Sequence, residues 1–197
     1  MDTTLTLNSS GLAWDAEALC ARYAFLRKRR EEVRLDLLYY PYRLFHLRGQ
    51  ASWRFFGKRP LEMLLVVDAR TGKCLRVSSF PDVCEAFSPA RVEADGQALE
   101  ASAHVAAAVL DEAEAASRAE AFAIAAWGRR CNLPLGPRAD IRCAESSSRL
   151  LCKPFWIMRP KERPAGGKMF VFDATTGLGG GSEYWNVVDY VLDMERF

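Results

Sequence analysis

Asp68 and Asp173 head two matching turn sequences, Asp68-Ala69-Arg70-Thr71-Gly72 and Asp173-Ala174-Thr175-Thr176-Gly177. Paired carboxylates are what general acid–base chemistry needs, once their surroundings drive their pKa values apart. The same aspartates can instead hold their own turns by accepting backbone amides. Six cysteines (Cys20, Cys74, Cys84, Cys131, Cys143, Cys152) and two histidines, His46 and His104, supply the metal-ligating types. Zinc ligands come in closely spaced pairs. Here there is no Cys-x-x-Cys and neither histidine neighbours a cysteine, so free buried thiols are expected and no metal or cofactor is implied. No Gly-x-Ser-x-Gly elbow or cysteine-nucleophile motif is present, so catalysis is not indicated.

The loop Gly177-Leu178-Gly179-Gly180-Gly181-Ser182 offers glycine amides ahead of a helix, an arrangement able to cradle phosphate. It lacks the P-loop ending and the Rossmann spacing, which leaves a flexible connection as the simpler reading. Aromatics and arginines interleave at Tyr39, Tyr40, Tyr42, Arg43, Phe45, Arg48, Trp53, Arg54, Phe55 and Phe56. Such a sheet can clasp a peptide or stack bases. It can also be a half-buried sheet with arginine stems along its edge. Tyr42, Arg43, Trp53 and Arg54 are the nominated binding residues, with Trp53 and Arg54 on an exposed hairpin after a turn at Gly49.

The elements that carry these residues follow from apolar spacing. Asp15 caps a helix to about Arg30, with Ala16, Leu19, Cys20, Tyr23 and Leu26 on one face. Residues 33–47 read as a strand that Pro41 bends or places at an edge. A short strand at 53–56, a buried strand at 61–67 and a return strand at 73–77 follow. Asp95-Gly96 marks a small hairpin in the linker. Asp111 and Glu114, at capping-box spacing, open a helix to about Trp127. Residues 146–158 and 168–172 are strands, and Ser182 caps a last helix with Tyr184, Val187, Val188 and Val191 on its face.

The strand motifs around Pro41 and Pro154 correspond, as do the two aspartate turns. This implies a duplication: residues 1–90 form one helix-plus-sheet repeat, and 91–197 a second with the C-terminal helix. The fold class expected is α+β, a tandem repeat of a helix packed on an antiparallel sheet.

The segment 64–77, with Val66, Val67, Asp68, Ala69, Thr71, Gly72 and Leu75, resembles the hairpin of PepSY-like domains. Val171, Asp173, Ala174, Thr176 and Gly177 carry the resemblance a second time. PepSY-like domains are small helix-plus-antiparallel-sheet modules, often in tandem. The resemblance implies an inhibitory or binding role in a family commonly exported or attached to membranes.

A chain of 197 residues, half of them hydrophobic and 26% charged, can bury a sizeable core. Its net charge of +2 argues for a protein or peptide partner over nucleic acid. The start shows no basic region followed by an apolar stretch, and no run reaches the ~18 apolar residues of a span, so a cytoplasmic location is expected. The function expected is non-catalytic binding through a sheet surface or the groove between repeats. The alternatives are a nucleic-acid binder shaped as a pseudo-twofold saddle, or a small-molecule sensor or enzyme with a pocket between repeats.

Overall fold

The computed structural model describes residues 15–23, 32–53, 57–76, 103–131, 140–161, 169–179 and 184–194. Its strands are β1 (Val33–Trp53), β2 (Gly57–Asp68), β3 (Cys74–Arg76), β4 (Ala103–Val105), β5 (Asp140–Pro160) and β6 (Phe170–Asp173). Its helices are α1 (Ala16–Arg22), α2 (Glu112–Cys131) and α3 (Tyr184–Met194). The strand order is β3-β2-β1-β5-β6, with β4 beside β1. The β1–β2, β2–β3 and β5–β6 pairings are antiparallel, and β1–β4 is parallel. Two compact units are distinguished. The first is Met1–Tyr40, Ala86–Ala107 and Cys152–Phe197; the second is Pro41–Glu85 and Ala108–Leu151.

The expected tandem repeat of a helix on its own sheet is not the architecture; the chain is mostly antiparallel sheet with three helices among the described residues. The helices pack on the wrong strands for a serial repeat. In the first unit, Leu19 and Cys20 of α1 bury against Cys152, Trp156 and Met158 of β5 and Phe172 of β6, with Leu37 and Tyr39 of β1. In the second unit, Ala115, Ala119, Ala123 and Trp127 of α2 bury against Phe45 and Leu47 of β1 and Met63, Leu65 and Val67 of β2. Thus α1 and α2 each cover strands from the other half of the sequence. The proposed boundary at 90/91 and the Asp95-Gly96 hairpin lie outside the described residues.

The local correspondence of the two turn motifs is nevertheless real. Ala69 N donates to Pro41 O at 3.1 Å, and Ala174 N to Pro154 O at 3.0 Å. Tyr42 pairs with Asp68, and Phe155 with Asp173. Gly72 N and Gly177 N close the turns on Asp68 O and Asp173 O at 2.8 and 2.7 Å, both glycines at positive φ. Pro41 falls where its missing N–H does least harm: β1 pairs with β4 through Tyr39 and with β2 only from Tyr42 onward.

Other elements differ from expectation in instructive ways. α1 ends at Arg22, because Tyr23 is extended and its hydroxyl donates to Gly177 O at 2.8 Å. Gly49 is not a turn but lies inside β1, opposite Leu61. A Cβ there would stand 2.5 Å from Arg142 O and 2.7 Å from the Trp127 ring, so glycine is what lets α2 and β5 approach β1. The chain reverses after Trp53, with Gly57 at φ 77 opening β2. α2 starts as expected, Asp111 Oδ1 accepting Glu114 N at 2.7 Å. Its alanine stripe at four-residue spacing brings the helix axis close to the sheet. In α3, Val187 and Val191 are buried, and Tyr190 meets Tyr40 edge to face. No helix among the described residues is long and apolar enough to cross a membrane.

Candidate functional site

The sheet of the second unit has two unlike faces, because successive side chains of a strand point to opposite sides. Phe45 and Leu47 face α2. His46, Arg48 and Gln50 alternate with them on the other side, where His46 is half-buried and Arg48 and Gln50 are exposed. β2 sets Leu64 opposite His46 and Glu62 opposite Arg48. His46, Arg48, Glu145, Ser146 and Ser147 line a cleft of about 370 Å³.

The electrostatics of this cleft are those of exchangeable pairs. His46 Nε2 makes a short contact with Glu62 Oε1. Arg48 Nε lies 3.7 Å from Glu62 Oε1, and its Nη1 lies 3.7 Å from Glu145 Oε2. The hydrogen bond from His46 holds the Glu62 carboxyl below its ordinary range, with the charges of His46 and Arg48 adding to the effect. The Arg48, Glu62 and Glu145 side chains are all more than half exposed. Exposed ion pairs of this kind contribute little to stability, so a ligand group can replace either partner at little cost.

The nominated binding residues separate. Tyr42 is 1% exposed and belongs to the interior of the sheet. Arg43 is mostly buried on the α2 side, its guanidinium 3.7 Å from Glu112. Trp53 is half-buried at the end of β1. Arg54 lies outside the described residues. The structure therefore places Tyr42, Arg43 and Trp53 on one strand without gathering them at one surface. The cleft residues carried a legible signal: Phe45-His46-Leu47-Arg48-Gly49-Gln50-Ala51-Ser52 alternates strictly, one face apolar or small and the other polar. Reading Gly49 as a turn cuts that run in two and hides the polar face.

The two aspartates serve their own turns. Asp68 Oδ1 accepts Arg70 N and Thr71 N, both at 2.9 Å. Asp173 Oδ1 accepts Thr175 N at 2.8 Å and Thr175 Oγ1 at 2.6 Å, while Lys153 Nζ stands 3.1 Å from Oδ2. Burial acts to raise the Asp173 pKa, but Lys153 and the Thr175 hydrogen bonds outweigh it and hold the carboxyl below its ordinary value. In the glycine loop, Gly177 closes the Asp173 turn and Gly179 bridges to Phe172; residues 180–183 lie outside the described set.

Cys20, Cys74, Cys131, Cys143 and Cys152 are in no disulfide, and Cys84 lies outside the described residues. Burial pushes the thiols of Cys74, Cys143 and Cys152 up, with Glu120 adding to the effect at Cys143. A nucleophilic or metal-binding cysteine needs the opposite shift. Among the described residues no three His, Cys, Asp or Glu side chains are grouped to hold a metal ion. No protein-family model, no curated protein and no solved structure matches the chain.

Proposed function

We propose that this chain is a non-catalytic binding module that recognises a protein or peptide segment through the polar face of the second unit's sheet. The observation that carries this reading is the cleft lined by His46, Arg48, Glu145, Ser146 and Ser147, with Glu62 beside it. It combines both signs of charge with hydroxyls, and the ion pairs of Arg48 are long and solvated. A carboxylate of the ligand takes Arg48 from Glu62 or Glu145, and a ligand cation takes the carboxylate released. Peptides carry both charges on one chain, and a polyanion would meet Glu62 and Glu145 as repulsion. The raised thiols and the turn-bound aspartates support binding over covalent or acid–base chemistry. The resemblance of the Asp-Ala-x-Thr-Gly hairpins to PepSY-like modules points the same way.

The test is selection from a displayed random peptide library, followed by affinity measurement on the purified protein. Enriched peptides should carry acidic and basic residues, and Arg48→Ala should weaken them by about tenfold or more. Peptides that bind Arg48→Ala as tightly as the parent, or no enrichment at all, would overturn the assignment. Tight binding of a random single-stranded oligonucleotide with a steep salt dependence would replace it with nucleic-acid recognition.

A further inference from the structure

Among the described residues, the first half of β5 is an open edge. β1 flanks β5 on one side, and on the other β6 pairs only with Phe155–Met158. Residues 140–154 have no second strand among the described residues. Most of this stretch is also exposed: Ala144, Glu145, Ser146, Ser147, Arg149 and Leu150 all face solvent. Natural sheets shield such edges with proline, lysine or a covering element. β5 has its first lysine and proline at Lys153 and Pro154, just where β6 takes over the pairing.

The charges along this edge are self-complementary. In an antiparallel register centred on Ser147, Glu145 lies opposite Arg149 of a second copy, and by symmetry Arg149 lies opposite Glu145. The same register sets Ser147 opposite itself and Ser146 opposite Ser148, whose hydroxyl donates to Glu112 and can accept from Ser146. Centring on Glu145 instead opposes two glutamates, and centring on Ser146 or Ser148 makes no Glu–Arg pair. Only contacts between two copies related by a twofold axis use a sequence that is complementary to itself read backwards.

We infer that two copies of this chain associate edge to edge through residues 144–150 of β5, forming one continuous antiparallel sheet with Ser147 on the twofold axis. The seam shares Glu145, Ser146 and Ser147 with the cleft, so a bound peptide would compete with it; association measured without peptide reads the seam alone, and its failure leaves the peptide reading standing. One strand-to-strand seam buries well under the about 1,600 Å² of a standard interface, so the dimer is weak and concentration-dependent.

Sedimentation analysis of the full chain from micromolar to millimolar concentration tests this. The parent should move from monomer to dimer. Glu145→Arg opposes arginine to arginine and Arg149→Glu opposes glutamate to glutamate. Each should weaken association by at least about tenfold. The double exchange restores both pairs and should restore the dimer. Opposed residues in an antiparallel ladder stand about 4.5–5.5 Å apart, within disulfide reach. Ser147→Cys should therefore cross-link to its own copy under mild oxidation, well above the parent and above Ser146→Cys. A monomer throughout the range overturns the inference. So does a dimer indifferent to both charge reversals, or Ser147→Cys that cross-links no more than the parent.

Discussion

Replacing Gly49 with alanine pushes a methyl group between two walls of the second unit. The new Cβ would stand 2.5 Å from Arg142 O and 2.7 and 3.1 Å from two Trp127 ring carbons. Weak carbon–oxygen contacts begin at about 3.3 Å, so the β5 backbone must retreat by roughly 0.8 Å. Trp127 is 2% exposed and sits among packed side chains, so its ring cannot retreat freely either. Each overpacked wall costs about 1–3 kcal/mol. Against this, removing a glycine from a strand interior returns about 0.5–1 kcal/mol. The net expectation is a loss of roughly 1–5 kcal/mol, or about 2–20 °C in melting temperature for a chain of this size. Urea unfolding followed by far-UV circular dichroism measures it. Trp127→Leu removes one wall and leaves Arg142 O in place. In the double variant the cost of Gly49→Ala should therefore shrink by about 1–2 kcal/mol without vanishing. A neutral or stabilising Gly49→Ala would refute the close approach. Strict additivity in the cycle would show that Trp127 is not one of the walls.

Three further outcomes are expected. Asp173 has a folded pKa below its ordinary value, so its stabilisation is present above about pH 4 and is lost as pH falls through the folded pKa. Lys153→Met leaves burial opposed only by the Thr175 hydrogen bonds, raises that pKa and moves the acid-unfolding midpoint to higher pH. With the two side chains only 17% and 14% exposed, it should also cost about 3 kcal/mol at neutral pH; an unmoved acid midpoint would contradict the pairing. Gly57→Ala and Gly72→Ala both force alanine into positive φ, yet only at Gly72 does the added methyl meet a neighbour, the Arg118 side chain. Thermal melts should show Gly72→Ala as the more damaging, with Arg118→Ala easing it. Tyr42→Ala should cost about 3–5 kcal/mol as a buried aromatic, and Trp53→Ala well under half of that; equal losses in chemical denaturation would show that the burial difference is not felt.

Much of the local structure was legible because local rules decide it. The Asp111 cap, the alanine stripe of α2 and the two aspartate turns need only residue types at fixed spacing and a glycine able to take positive φ. The candidate cleft was half legible. The alternation of His46, Arg48 and Gln50 with Leu47, Gly49 and Ala51 defines a polar strand face. A glycine in the middle of it imitates a turn, since glycine is equally at home in reversals and in close backbone approaches. Glu62 and Glu145 come to Arg48 from other strands, through a register that no single segment encodes.

By itself the sequence determined the Asp111 cap, the buried face of α2 and the two aspartate turns, because hydrogen-bond capping, backbone permissiveness and apolar periodicity act over a few residues. It also determined that the Pro41 and Pro154 strands would meet their aspartate turns in the same way. Only the tertiary structure decided which strands each helix covers. α1 lies on β5, β6 and the start of β1, while α2 lies on β2 and the later part of β1. Apolar faces are non-directional: a helix stripe of small residues and a strand face of Leu, Val and Phe fit many partners equally well. The choice among them is made by steric detail, such as a tryptophan that finds room only over a glycine, and by long strands that serve more than one core.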